Sequence, residues 1–334
     1  MYALAFLIIS AIIGAGFATG AELQSFFGDA NLPPAVIAAV VGLFLYLVIT
    51  VVIELGYRDF MPNNYIFVPI YFIFFVALTA GMGQIAGRAS AAVALVLCVF
   101  IIMFGFGKLV RFNKWIMVFV LVTILVVSLP HALDSAATPI GSGGHPWSIL
   151  GVALIYAGMN SSALFPLIRK TRERFTKGEA HLANLLAVSV IMLFITMILA
   201  AIRGTQAVMP VVALNPSFFV VAAVFLSIFT SMMITLFNIE QSVFKNRKPQ
   251  EAGPVEARFV NKPIQDTAVK RKVSLPRALR LLAVCALAFG GSLLGFSRII
   301  DIFYPLIGGF MIFYLLWSYL WIRFRFVLKR IRPR

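Results

Sequence analysis

Ile13-Gly14-Ala15-Gly16-Phe17-Ala18-Thr19-Gly20-Ala21-Glu22 lies near the start of the chain, inside an apolar run that extends from residue 2 to residue 27. The apolar stretch before the first glycine, 3–13, would make a helix about 16 Å long, roughly half of a ~30 Å bilayer core. Three glycines within seven residues weaken a helix by about 1 kcal/mol each relative to alanine. They also admit backbone angles closed to other residues. Beyond them stands Glu22, a carboxylate whose burial in lipid costs about 3 kcal/mol unless it is paired, wet or protonated. The stretch therefore reads as a membrane helix interrupted halfway. The competing reading is a G-x-x-x-G packing face made by Gly16 and Gly20.

The rest of the chain sets the context. It has 334 residues, 61% of them hydrophobic and 12% charged, with a mean hydropathy of +0.99. A soluble domain is about half apolar and a quarter charged, so a soluble, disordered or fibrous protein is excluded. Ten apolar spans follow: 2–27, 33–55, 65–86, 89–106, 115–129, 147–168, 182–202, 216–239, 279–296 and 299–322. The net charge of +16 is carried by residues between these runs. That arrangement points to anchoring and orientation rather than to nucleic acid. With both termini cytoplasmic, only Arg88, Arg203 and Arg298 of the 28 basic residues fall outside. A miscounted span would scramble that partition, so the expectation is an all-α integral protein of the cytoplasmic membrane with ten helices. Residues 1–13 hold no Lys or Arg and the apolar run continues past Ala18-Thr19-Gly20, so the start reads as a first span rather than a cleaved leader. Cys98 and Cys285 lie inside apolar runs and suggest neither a disulfide framework nor a metal site.

Ten spans divide as two five-helix repeats, 1–130 and 131–322, followed by a basic cytoplasmic tail, 323–334. The segment 245–277 holds several prolines and mixed charge, and reads as a disordered cytoplasmic loop. An odd number of spans inverts the second repeat relative to the first, and inverted repeats place a site where corresponding helices are interrupted. The sixth span is the counterpart of the first. It carries Tyr156-Ala157-Gly158-Met159-Asn160-Ser161-Ser162, a glycine and a polar cluster near mid-span, so helices 1 and 6 are both expected to be discontinuous. Unwound backbone in a membrane must line a polar cavity. The half-helix that follows aims free N–H groups at it. The expected solute-binding residues are Gly14, Ala15, Gly16, Phe17 and Thr19 on one side, and Tyr156, Gly158 and Asn160 on the other.

Three further residues are candidates for a coupling cation. Thr230 and Ser231 are adjacent hydroxyls near the middle of the eighth span, and with carbonyls freed at Gly14 and Phe17 they would give oxygen ligands to Na+. Each hydroxyl alone more often bonds back to its own helix. Glu22 would carry H+, or pair with a solute amine. No other metal and no cofactor is expected. Glu54 lies four residues before Arg58, which suggests a structural pair, and Glu240 stands at the end of its span beside the basic loop.

The stretch 13–22 resembles the first-helix signature of the YkvI-like bacterial membrane proteins. These are small members of the amino acid–polyamine–organocation superfamily, with a LeuT-type fold. Tyr156-x-x-x-Asn160 and Tyr304-Pro305-x-x-Gly308 add softer likeness. The resemblance implies that Gly14-Ala15-Gly16 receives a substrate carboxylate and that Thr230-Ser231 matches a sodium-ligand pair. Ala21 departs from the pattern, in which a polar residue precedes the glutamate. The expectation is a secondary transporter that moves a small carboxylated or zwitterionic solute, an amino acid first, by alternating access coupled to Na+ or H+. Its partners would be that solute and the lipid bilayer. The alternatives are a non-transporting ligand sensor on the same scaffold and a channel. An enzyme is disfavoured: the three histidines, His131, His145 and His181, lie near loops or helix ends, and no H-E-x-x-H, G-x-S-x-G or phosphate loop is present.

Overall fold

A computed structural model describes residues 2–28, 30–57, 64–104, 106–134, 146–171, 175–203, 205, 207–244 and 275–331. Among these residues every regular element is a helix. In chain order they are α1 (Tyr2–Ile12), α2 (Ala15–Thr19), α3 (Ala21–Phe27), α4 (Pro34–Tyr57), α5 (Asn64–Ala86), α6 (Arg88–Phe104) and α7 (Phe106–Asp134). There follow α8 (Pro146–Thr171), α9 (Lys177–Ala201), α10 (Pro210–Leu214), α11 (Phe218–Phe244), α12 (Leu275–Ser292) and α13 (Phe296–Ile331). Eight of them, α4, α5, α7, α8, α9, α11, α12 and α13, are long and apolar enough to cross a bilayer, and α6 is apolar but shorter. The chain is a multi-pass integral membrane protein. Helices dominate because lipid offers no partner for the backbone, and a helix satisfies its own N–H and C=O groups.

The helix ends follow local chemistry. Pro34 and Pro210 open α4 and α10, where a missing N–H costs nothing. At the start of α9 a capping box forms: the Thr176 amide donates to Glu179 Oε2 at 2.8 Å, and the Glu179 amide donates to Thr176 Oγ1 at 3.3 Å.

Several boundaries differ from the sequence reading. The basic residues Lys108, Arg111 and Lys114 belong to α7, which begins at Phe106, two residues beyond the last residue of α6. Nothing after Gly107 breaks a helix there, and Lys and Arg are good helix formers. At the other end α13 continues to Ile331, through most of the basic tail. Its 36 residues measure about 54 Å, so the helix outruns a bilayer. Of the loop 245–277, residues 245–274 lie outside the described residues, and Leu275, Pro276 and Arg277 start α12.

The largest correction concerns the sixth span. It was expected to break at 156–162, yet α8 runs without interruption from Pro146 to Thr171. Its polar cluster turns inward on its own backbone. Asn160 Nδ2 donates to the Tyr156 carbonyl at 3.0 Å, Ser161 Oγ to the Gly158 carbonyl at 2.6 Å, and Ser162 Oγ to the Met159 carbonyl at 2.8 Å. Gly158 serves close packing instead of unwinding. A Cβ there would meet the Gly308 carbonyl oxygen of α13 at 2.5 Å, and a Cβ on Gly308 would overlap the Ile155 carbonyl. Two glycines thus let α8 and α13 approach backbone to backbone. Tyr304-Pro305 and Gly308-Gly309 lie within α13, which is a single helix with Pro305 inside it.

Packing places α4 between α8 and α9, α5 against α11, and α8 against α13. The three pieces of the first span, α1, α2 and α3, lie against α8, α9 and α11. This sets the interrupted helix in the middle of the bundle.

Candidate functional site

The first span is interrupted twice. α1 ends at Ile12, and Gly14 is extended (φ −87°, ψ −164°). Its amide reaches back only two residues, to the Ile12 carbonyl at 2.8 Å, and the helix resumes with the Ala18 amide donating to the Gly14 carbonyl at 2.9 Å. The amides of Ala15, Gly16 and Phe17 therefore form the first turn of α2, where no intrahelical acceptor exists for them. The second interruption is Gly20, at φ +75° in the left-handed region that favours glycine. A Cβ at Gly20 would also crowd Val211 Cγ2 at 3.1 Å. Thr19 splints this corner. Its hydroxyl donates to the Gly16 carbonyl at 2.8 Å and accepts the Ala21 amide at 3.2 Å. That hydroxyl is therefore committed to the backbone rather than to a cavity.

Glu22 is the chemical centre of the break. It stands in the first turn of α3 and is 8% exposed. Its side chain folds back over α2 into the notch left by Gly16: a Cβ on Gly16 would overlap the Glu22 carboxyl group. Among the described residues, no hydrogen bond or ion pair reaches that carboxyl group. Its polar neighbours are two buried phenols, Tyr156 of α8 and Tyr304 of α13, both within electrostatic reach. The Tyr156 hydroxyl is itself buried, makes no close hydrogen bond, and has the Asn160 side chain of the next turn within its reach. Phe26 and Phe27 hold the Tyr156 ring edge-on, with centroids at 5.3 and 5.5 Å. Phe74 of α5 holds the Tyr304 ring in the same way at 5.3 Å.

The other face of the break is α11. A Cβ on Gly14 would find Ser231 Oγ as its nearest neighbour, at 3.9 Å. Thr230 is buried, and its hydroxyl bonds back to the Leu226 and Ser227 carbonyls at 2.9 and 3.1 Å. One turn away, the Ser227 hydroxyl is buried with no partner among the described residues. The Gly14 and Phe17 carbonyls, expected to be free, accept the Ala18 and Gly20 amides.

The structure thus gathers Gly14, Gly16, Glu22, Tyr156 and Ser231 around one interruption, with Phe17 buried behind it. Asn160 and Gly158 lie on α8 beside Tyr156 but are engaged in helix packing and back-bonding. Of Ala15 only the backbone is described.

Sequence reasoning missed Tyr304 as a site residue, together with Phe26 and Phe27. It also missed a contact at the end of α3, where Ser25 Oγ donates to Asp301 Oδ1 of α13 at 2.6 Å. The available signal was an acidic residue, Asp301, inside the last apolar run and three residues before Tyr304. Elsewhere, Glu54 of α4 pairs with Lys177 of α9 at 2.6 Å and lies 3.5 Å from His181. The expected partner, Arg58, lies outside the described residues. Glu240 of α11 pairs with Arg277 of α12 at 2.5 Å, largely buried, and so joins the two ends of the segment 245–274. Compared with family models and with curated proteins, the chain matches none.

Proposed function

We propose that the chain is a secondary transporter built from two inverted five-helix repeats, as in the LeuT-type fold, and that it carries a small carboxylated or zwitterionic solute, an amino acid first. The observation that carries this reading is the interrupted first helix, where bare amides, a buried carboxyl group and a facing hydroxyl converge inside a membrane bundle. Such backbone is stable in a bilayer only where it meets a polar cavity or a ligand.

The packing supports the repeat. The first span is α1 with α2 and α3, the fifth is α7, the sixth is α8, and the tenth is α13. Shifting every span by five maps many of the contacts onto one another, although α8 with α13, α5 with α6 and α6 with α7 have no image of comparable extent. The pairs α4 with α9, α5 with α11, and α6 with α12 are each their own image, as is α1 with α8. The contact of α4 with α8 maps to α9 with α1. That of α7 with α9 maps to α13 with α4, α11 with α7 to α5 with α13, and α5 with α12 to α11 with α6. The repeat is imperfect at its most informative place, because only the first helix is broken.

In this reading the solute carboxylate meets the amides of residues 15–17, where glycine at 14 and 16 lets it approach. Tyr156 and Ser231 stand on either side, and a cation, Na+ or H+, biases the outward-facing state. Both termini are cytoplasmic. Gly158 and Asn160 would act indirectly, by holding Tyr156 in place. Counterflow of radiolabelled amino acids into proteoliposomes tests the reading. Uptake against unlabelled internal solute is the expected result, and its absence under every ion gradient would contradict it. Saturable binding without flux would favour a sensor, and single-channel currents would favour a channel.

A further inference from the structure

We propose that Glu22 couples the solute to protons, because the solute's carboxylate can occupy the break only when Glu22 carries a proton. The proposal rests on the transporter reading, in which that carboxylate docks beside Gly14 and Gly16. It deepens that reading by choosing the coupling ion and the group that holds it.

The argument is geometric. The Glu22 carboxyl group fills the notch at Gly16, on the surface where the solute carboxylate would lie. Two carboxylates that close cannot both be ionised in a buried site, so they share a proton. Nothing else nearby supplies a balancing charge. α8 presents Tyr156 and α13 presents Tyr304. Asp301 of α13 is turned to Ser25. α2 contains no titratable residue. The titratable groups of α9, which are Lys177, Glu179 and His181, gather at its first turns, where they serve Glu54 and Thr176. Among the described residues, no Lys, Arg or His reaches Glu22.

A sodium ion needs a cage of several oxygens; the Thr230 hydroxyl, which donates to its own helix, and the Gly14 and Phe17 carbonyls, which each accept one amide, keep lone pairs for it, whereas the notch at Gly16 is filled by the Glu22 carboxyl group itself. A proton needs no such cage and no added space beside Gly16. The Tyr156 and Tyr304 hydroxyls, both within electrostatic reach of Glu22, can stabilise the ionised form once the solute has left. The proton comes from water on the entry side and returns to water on the exit side, together with the solute.

The test is equilibrium binding of tritiated L-alanine, L-leucine and L-glutamate to the purified full chain as a function of pH. One proton taken up per solute weakens binding by up to about tenfold per pH unit as pH rises through the range in which Glu22 ionises. In Glu22→Gln, which keeps the shape of the protonated acid, that slope is expected to vanish. In Glu22→Asp, which keeps a carboxyl group, it is expected to persist. A slope of the opposite sign would show Glu22 holding the solute's ammonium group, and an equal slope in wild type and Glu22→Gln would show another group titrating. Either result overturns the proposal and leaves the transporter reading standing. If none of the three amino acids binds, that reading fails for them. The protonation of Glu22 is then read separately by infrared spectroscopy in bilayers titrated from alkaline to acid pH. A protonated-carboxyl band present in wild type and missing in Glu22→Gln supports the assignment, and identical spectra overturn it.

Discussion

Residues 14–20 and 156–162 offer the backbone similar choices and fold differently. Both hold glycine and hydroxyl residues in the middle of an apolar span, and in the proposed repeat the two spans correspond. In the first, Gly14 is extended, Gly20 is left-handed, and the amides of Ala15, Gly16 and Phe17 lose helical partners. In the second the helix is continuous, the hydroxyls bond to carbonyls three residues back, and the glycine faces another glycine. The difference lies in what stands opposite. Gly158 meets Gly308, so the missing side chain is used for contact between α8 and α13. Gly16 meets the carboxyl group of Glu22, and Gly14 faces the hydroxyl of Ser231. A glycine in a membrane helix acquires its role from the neighbour it admits.

That comparison can be broken by substitution. The largest effect is expected at Gly308→Ala, where the new methyl group would overlap a backbone carbonyl that cannot turn aside. Overpacking of this kind costs about 3 kcal/mol, read as a fall in Tm of the purified protein in detergent. Wild-type stability would remove the close packing that explains the unbroken α8. Next comes Gly20→Ala, which forces an alanine into a left-handed conformation and against Val211. It should cost about 1–2 kcal/mol, and solute binding should suffer along with Tm because the corner orients Glu22. Gly20→Asn should recover part of the loss, since asparagine tolerates that conformation.

These outcomes bear on how much the sequence disclosed. The interruption of the first span was legible, because three glycines and a carboxylate within nine residues have no economical helical explanation in a membrane. The break expected in the sixth span was not there. Its glycine and hydroxyls serve unwinding or packing equally well by composition, and the deciding residue, Gly308, lies far along the chain. Glu22 was legible as a costly residue, but its neighbours were not. Tyr156 and Tyr304 reach it from α8 and α13, and only the packing of those helices brings them together. Thr19 was read as a solute ligand, whereas its hydroxyl is occupied on both sides by the backbone. Short-range hydrogen bonding of this kind depends on the very break it stabilises.

A smaller effect tests the repeat itself. Cys98 of α6 and Cys285 of α12 are buried neighbours, each ten residues past the start of its helix. In the proposed repeat the two helices correspond, so the thiols should straddle its pseudo-twofold axis. A short membrane-permeant reagent with two thiol-reactive ends should link them within one chain, and proteolysis in the 245–274 segment should then leave the halves joined on a gel. Halves that separate would place α6 and α12 differently. The least effect is expected for Ser161→Ala and Ser162→Ala. Each removes a hydroxyl that is bonded to its own helix, so Tm should change by less than about 1 kcal/mol equivalent and solute binding should remain. Loss of binding in either would bring the 160–162 turn into the site.

The central claim, one open helix beside one closed helix, is tested most directly by amide hydrogen–deuterium exchange of the protein in lipid nanodiscs, resolved to single residues. The amides of Ala15, Gly16 and Phe17 should exchange orders of magnitude faster than those of residues 156–162, and added solute should slow them. Equal protection of the two stretches, or fast exchange at 156–162, would contradict it.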